Sequence, residues 1–232
     1  MKLRSLVVSF LTVVAFAAIG TPAVADKKAV KRVPAGAVAF HFVLDLTYSP
    51  GPPELVGYMA FIEGVDSSLF DGEPSKDTAY FTLRITDNMT MPVDLPVEPD
   101  PELDVSMLPP GTQFTVFFNP HPTGRSWDEP GDFEQGEPIA VFEESALLSN
   151  TGSSASFNTF SSKLISSTPV HFKGQKLNFK KLVPNGVTIT NFGNGPHVRD
   201  YFEYFNVGSS AGATAVAIGG EPGNAGDDDS DD

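Results

Sequence analysis

The stretch VAFHFVLDLTY, residues 38–48, alternates side chains of two kinds along its whole length. One face carries large apolar side chains, those of Val38, Phe40, Phe42, Leu44, Leu46 and Tyr48. The other face is mixed and includes His41 and Asp45. A period of two is the signature of a β-strand with one buried face. The stretch therefore predicts a long strand whose phenylalanines point into a core and whose His41 points outward.

The same period recurs along the chain, between clusters of glycine and proline. It is clear at 79–86 and 114–118, and shorter candidates lie at 56–63, 139–143, 157–165, 169–173, 176–180, 186–191 and 213–218. Short, closely spaced strands of this kind predict an antiparallel all-β domain. Closing a sheet on itself removes its exposed edges, so we predict a single antiparallel β-barrel, with a β-sandwich as the alternative.

Turn chemistry supports the strand assignments. Three quartets, Val33-Pro-Ala-Gly36, Leu108-Pro-Pro-Gly111 and Val183-Pro-Asn-Gly186, place proline second and glycine fourth just before a predicted strand. That order suits a type I turn. Lys173-Gly174-Gln175 separates two alternating runs and predicts a hairpin with a three-residue loop. Residues 199–206 fit either a short helix or an aromatic edge strand.

The two ends of the chain predict segments outside the folded domain. Lys2 and Arg4, an apolar run and a small-residue site at 23–25 together have the pattern of a secretory signal peptide, cleaved near Ala25. The predicted organisation is a signal peptide at 1–25, a linker at 26–33, the all-β domain at 34–218 and a disordered acidic tail at 219–232. We therefore expect a secreted or periplasmic protein without a transmembrane segment.

Charge and composition exclude several functional classes. The full chain has a formal net charge of -14, and loss of the two bases in the signal peptide makes it -16. Nucleic acids and anionic membrane surfaces both require a basic footprint, so neither is an expected partner. The chain has no cysteine. Disulfides and thiol catalysis are therefore excluded, and an ordinary apolar core must supply the stability.

No motif for catalysis, metal binding or cofactor binding is found in the sequence. The four histidines are widely separated, and neither H-E-x-x-H nor a calcium-loop pattern occurs. Residues 208–212, GSSAG, match the letters G-x-S-x-G, but a strand is predicted after them at 213–218, where a nucleophile elbow would lead into a helix. There is no glycine-rich loop that would hold a phosphate. We therefore predict no metal and no cofactor, and no catalytic residue is assigned.

The long loop at 119–138 is the strongest candidate for a binding site. It contains the only tryptophan of the chain, and loops of this length in compact domains are often functional. The predicted ligand-binding residues are His121, Arg125, Trp127 and Phe133. Acidic side chains in the loop offer oxygen ligands for calcium. The alternative is that Trp127 and Phe133 fold back to cap one end of the barrel.

Three functions are compatible with these observations. The leading hypothesis is an exported, non-enzymatic binding protein for a small apolar or amphipathic ligand, held in a phenylalanine-lined barrel mouth and gated by the 119–138 loop. The second is a cofactor-free enzyme with a site inside the barrel, which requires an inward histidine or carboxylate with a perturbed pKa. The third is an exported structural or surface-interaction protein with a packed interior that uses the acidic tail or the lysines between 163 and 181.

Overall fold

The computed structural model describes residues 29–48, 54–86, 93–95, 104–108, 110–145, 147–151, 155–194, 197–199 and 206–219. These residues contain the strands β1 (Val38–Tyr48), β2 (Glu54–Ile62), β3 (Phe81–Thr86), β4 (Val93–Leu95), β5 (Asp104–Leu108), β6 (Gln113–Phe118), β7 (Glu137–Glu144), β8 (Leu147–Thr151), β9 (Ala155–Ser167), β10 (Val170–Phe172), β11 (Gln175–Leu177), β12 (Val187–Asn194), β13 (His197–Arg199) and β14 (Asn206–Ala217). Two short helical segments accompany them, a 3₁₀ helix at Pro130–Glu134 and the α-helix α1 at Phe179–Leu182.

Eight antiparallel strands form a closed barrel. Their order is β12, β14, β1, β2, β3, β6, β7 and β9, and pairing of β9 with β12 closes the ring. β9 is the longest strand and contributes to more than one pairing. Its first half pairs with β8 on one side and β12 on the other, and its second half pairs with β7. The prediction of an antiparallel barrel is therefore confirmed.

Apolar side chains fill the barrel interior. The alternation predicted for β1 is observed over residues 40–44, since Phe40, Phe42 and Leu44 are buried while His41 on the opposite face is half-buried. On that opposite face Ala39 and Asp45 are also buried, so the face is not open to solvent along its whole length. Buried aromatic and aliphatic residues continue this inner surface on the other strands, namely Phe81, Leu83, Phe114, Val116, Phe142, Phe160 and Ile189. The rings of Phe114 and Phe142 stack with centroids 4.6 Å apart. Each buried phenylalanine contributes about 1.5–3 kcal/mol, so this core can stabilise a domain without disulfides.

The segment that follows β9 closes one end of the barrel. Phe172 of β10 approaches Phe81 with a centroid distance of 5.0 Å, and Phe179 of α1 lies 6.0 Å from both Phe40 and Phe142. Rings from this segment therefore complete the aromatic core.

Two local predictions for this segment are wrong. Residues 176–180 do not form one strand, because β11 ends at Leu177 and α1 begins at Phe179. The side chain of Asn178 accepts the backbone N–H of Lys180, which caps the helix. The hairpin loop has two residues and not three, since Phe172 pairs with Gln175. Lys173 and Gly174 both have positive φ, as a tight turn of this length requires.

The three proline-glycine quartets precede β1, β6 and β12, as predicted. Their glycines, Gly36, Gly111 and Gly186, all have positive φ. The signal peptide lies outside the described residues, as do most of the acidic tail and most of the segment 199–206. Their predicted states remain predictions.

Candidate functional site

The 119–138 loop packs on the outer wall of the barrel. Thr82 lies between the inward residues Phe81 and Leu83 of β3, and its hydroxyl donates to the carbonyl oxygen of Phe133 over 2.7 Å. On the same face of β3, Arg84 pairs with Glu134 over 2.9 Å. A ligand held by this loop would therefore sit beside β2 and β3, on the outside of the barrel.

Trp127 is engaged by two aromatic rings of the protein. Its ring stacks on Phe133 with centroids 4.9 Å apart and contacts Tyr58 of β2 at 6.3 Å. Phe133 is fully buried and Trp127 is half-buried. Burial also raises the pKa of the Tyr58 hydroxyl. The cluster anchors the loop by ordinary aromatic packing.

The other two predicted ligand-binding residues differ in their surroundings. Arg125 is buried, and its guanidinium donates to the carbonyl oxygen of Lys76 while its backbone N–H donates to Asp77 over 2.6 Å. This backbone bond, with the ammonium of Lys76, lowers the pKa of Asp77. His121 is exposed, and its backbone N–H donates to Asn119. The structure thus brings Trp127 and Phe133 together and uses Arg125 to tie the loop to residues 76–77.

The acidic residues of this loop do not gather around one point. Asp132 accepts the backbone N–H of Ser126 over 3.0 Å, whereas Glu134 pairs with Arg84. No group of three or more His, Asp or Glu side chains suited to a metal ion occurs among the described residues.

A second candidate site lies beside β9, where sequence reasoning placed none. A surface pocket of about 270 Å³ is lined by Pro110, Glu143, Glu144, Ser145, Ser161, Ser162, Lys163, Asn185 and Ile218. We call it the Glu144 pocket. It lies between the turn that precedes β6 and the turn that precedes β12, and five separate segments of the chain form its walls.

Two buried polar side chains give the Glu144 pocket its chemical character. Glu144 of β7 is 5% exposed and Ser162 of β9 is 1% exposed, and the two are direct partners across the β7–β9 pairing. Within the described residues, the Ser162 hydroxyl has no hydrogen-bond partner. Burial alone raises the pKa of Glu144 to about 7. Buried polar atoms normally have a partner. Of these two side chains the Glu144 carboxylate is the one open to a ligand, because the Ser162 oxygen has almost no accessible surface.

The sequence did contain a signal for Glu144. Ala140 and Phe142 are buried on one face of β7, and continuing the alternation by one step puts Glu144 on the same face. The predicted strand ended at residue 143, so this inward carboxylate was missed. For Ser162 the signal is the same, since Phe160 precedes it by two residues on β9.

No protein-family model, curated protein or solved structure matches this chain. Within the part of the chain that the structure describes, no helix has the length and apolar character needed to cross a bilayer.

Proposed function

We propose that this chain is an exported, non-enzymatic binding protein for a small amphipathic molecule, which binds in the Glu144 pocket. The observation that carries this proposal is a cavity with two buried polar groups, Glu144 and Ser162, beside the apolar side chains of Pro110 and Ile218. Ligand sites commonly combine apolar walls with a few polar groups that fix orientation.

The filled barrel favours this location over the barrel mouth. Phe172 and Phe179 occupy one end of the barrel and contact the phenyl rings inside it. A ligand in the interior would have to displace packed aromatic rings, whereas the Glu144 pocket has space beside the strands.

Native mass spectrometry of residues 26–232, purified from the native host, tests the proposal. We expect a small molecule that co-purifies and is lost when Ser162→Ala and Glu144→Leu are combined. Trp127→Ala should retain it, because Trp127 lies on another wall of the barrel. Loss of the molecule in Trp127→Ala alone would place the site at the 119–138 loop. A protein that stays without ligand after incubation with a host lipid and metabolite extract would contradict the proposal.

A cofactor-free enzyme is the second candidate function. Glu144 is the inward carboxylate that this hypothesis requires, and a carboxyl with a pKa of about 7 can both accept and donate a proton at neutral pH. The two functions differ in the fate of the ligand. A binding protein returns the extracted molecule unchanged after incubation, whereas an enzyme converts it catalytically.

The third candidate function is that of an exported structural or surface-interaction protein. The packed interior of the barrel is compatible with this function. Phe157 of β9 and Phe192 of β12 are paired across the two strands, and the two residues are 44% and 62% exposed. Exposed aromatic residues that lie side by side are typical of contact surfaces. Size-exclusion chromatography at low and high salt tests this candidate. Association that survives in Phe192→Ser would exclude this surface.

A further inference from the structure

The carboxyl of Glu144 lacks a counter-charge among the described residues. No ion pair or hydrogen bond to this side chain is formed there, and burial is the only cause of its raised pKa. Two other charged residues line the pocket, Glu143 on β7 and Lys163 on β9. Within the described part of the chain, the side chain of Lys163 is exposed and forms no ion pair with Glu144. Glu143 is engaged by the side-chain amide of Gln113 over 3.3 Å. A buried carboxylate without a cation is costly, so a ligand that brings a positive charge gains the most from this position.

The polar atoms of the pocket fit an ammonium group. An ammonium has three N–H donors and no acceptor. Glu144 offers two carboxylate oxygens as acceptors, whereas the Ser162 hydroxyl is buried behind the pocket wall. The net charge of -14 also favours the approach of cations over anions.

The apolar part of the pocket limits what the ammonium can be attached to. Pro110 and Ile218 bring apolar side chains to the walls. We propose that the Glu144 pocket binds a primary amine with an apolar body, its ammonium on the Glu144 carboxylate and its apolar part against Pro110 and Ile218. This inference rests on the proposed binding function and names the ligand class of the same site.

The affinity of the pocket for an amine should rise with pH. An ammonium binds the ionised form of Glu144, and a ligand amine resembling lysine, with a pKa of about 10.4, stays charged throughout the neutral range. Because the pKa of Glu144 in the free protein is about 7, binding at lower pH releases a proton. The affinity should therefore rise about tenfold from about pH 6 to about pH 8. A neutral alcohol with the same alkyl chain as the amine would show no such rise in affinity with pH.

Isothermal titration calorimetry of residues 26–232 with three probes tests this inference. The probes are n-hexylammonium, 1-hexanol and hexanoate, each titrated at about pH 6 and about pH 8 in buffers of different ionisation enthalpy. We expect hexylammonium to bind most tightly, with the tenfold rise and with proton release at the lower pH. Glu144→Gln should lose the pH dependence and about tenfold or more of the affinity. Glu137→Gln is the matched control on the exposed start of the same strand and should bind as the wild type does.

The outcomes separate the ligand class from the function itself. Equal or tighter binding of hexanol or hexanoate would overturn the amine class and leave a binding site at this pocket. Tight hexylammonium binding that Glu144→Gln does not weaken would also overturn it, because the ammonium would then lie elsewhere. If no probe binds while native mass spectrometry still finds a ligand lost on mutation of the pocket, the amine class fails and the proposed function stands. If neither experiment detects a ligand, both fail.

Discussion

Burial of the Glu144 carboxyl makes the stability of the fold depend on pH. Its pKa is about 7 in the folded protein, against an ordinary value of 4.5. A raised folded pKa means that the folded state holds this proton more tightly than the unfolded chain does. The stability from this group is therefore fully present below about pH 4.5, falls as the pH rises to about 7 and stays low above it. The total change is about 3 kcal/mol.

Glu144→Gln should remove this dependence while keeping the size of the side chain. Relative to the wild type, we expect the free energy of unfolding of the variant to increase by about 3 kcal/mol between about pH 4 and about pH 8. Urea unfolding at the two pH values measures the difference, and Glu137→Gln, whose side chain is exposed, should show none. A stability difference that does not change with pH would mean that Glu144 is solvated.

Gly186 and Gly36 provide a second test at the level of single residues. Both have φ near +80°, but a Cβ at Gly186 would lie 2.0 Å from the carbonyl oxygen of Ser162, whereas nothing lies within 4 Å of one at Gly36. Gly36→Ala should cost about 1 kcal/mol from backbone conformation alone. Gly186→Ala should cost at least about 3 kcal/mol, because the strand β9 must also move. Thermal unfolding of the two variants measures the difference. Equal losses of stability in Gly36→Ala and Gly186→Ala would show that the turn before β12 does not pack on β9.

Among the structural elements, the 119–138 loop has its most deeply buried anchor in Phe133. Phe133 in the 3₁₀ helix is fully buried, stacks on Trp127 and accepts a hydrogen bond from Thr82 at its carbonyl oxygen. Phe133→Ala should therefore cost about 3–5 kcal/mol. Phe192→Ala is the matched control, since that ring is 62% exposed, and should change stability by at most about 0.5 kcal/mol. Chemical denaturation distinguishes them, and a small cost at Phe133 would contradict packing of the loop on β2 and β3.

Elements with regular alternation could be predicted from the sequence, and irregular ones could not. The pattern of β1 and of 114–118 identified both the strands and their buried faces. The quartets that end in Gly36, Gly111 and Gly186 marked strand starts by their order of proline and glycine, and all three glycines adopt positive φ in the structure. Helix α1 was missed, since Phe179 continues the alternation of Leu177 and only the capping bond of Asn178 reveals the change.

Over the whole molecule, closure of the barrel depends on its last strand. β14 pairs with β1 on one side and β12 on the other. A chain that ends at Arg199 would leave β1 and β12 with unpaired edges, so we expect it to lack cooperative thermal unfolding. A chain that ends at Gly219 keeps every barrel pairing and should unfold cooperatively. Native-like unfolding of the shorter chain by circular dichroism would contradict the barrel order.

The candidate site could not be predicted because its residues meet only through tertiary structure. Pro110, Glu144, Ser162 and Ile218 come from four separate parts of the chain. Period two shows which face of a strand a residue occupies, but it does not show which strands are neighbours or how far they are staggered. Trp127 could be singled out because it is the only tryptophan of the chain. The rings that surround it, those of Tyr58 and Phe133, could not be predicted, because tertiary packing brings them together.

The buried, unpaired carboxyl of Glu144 is the central claim, and an NMR titration measures it directly. The protein would be labelled with ¹³C at the glutamate carboxyl carbons, and the signal that is absent from Glu144→Gln would identify the residue. We predict a titration midpoint at about 7 for this signal. A midpoint near the ordinary value of 4.5 would show a solvated carboxyl and would contradict both the burial of Glu144 and the predicted rise of amine affinity between about pH 6 and about pH 8.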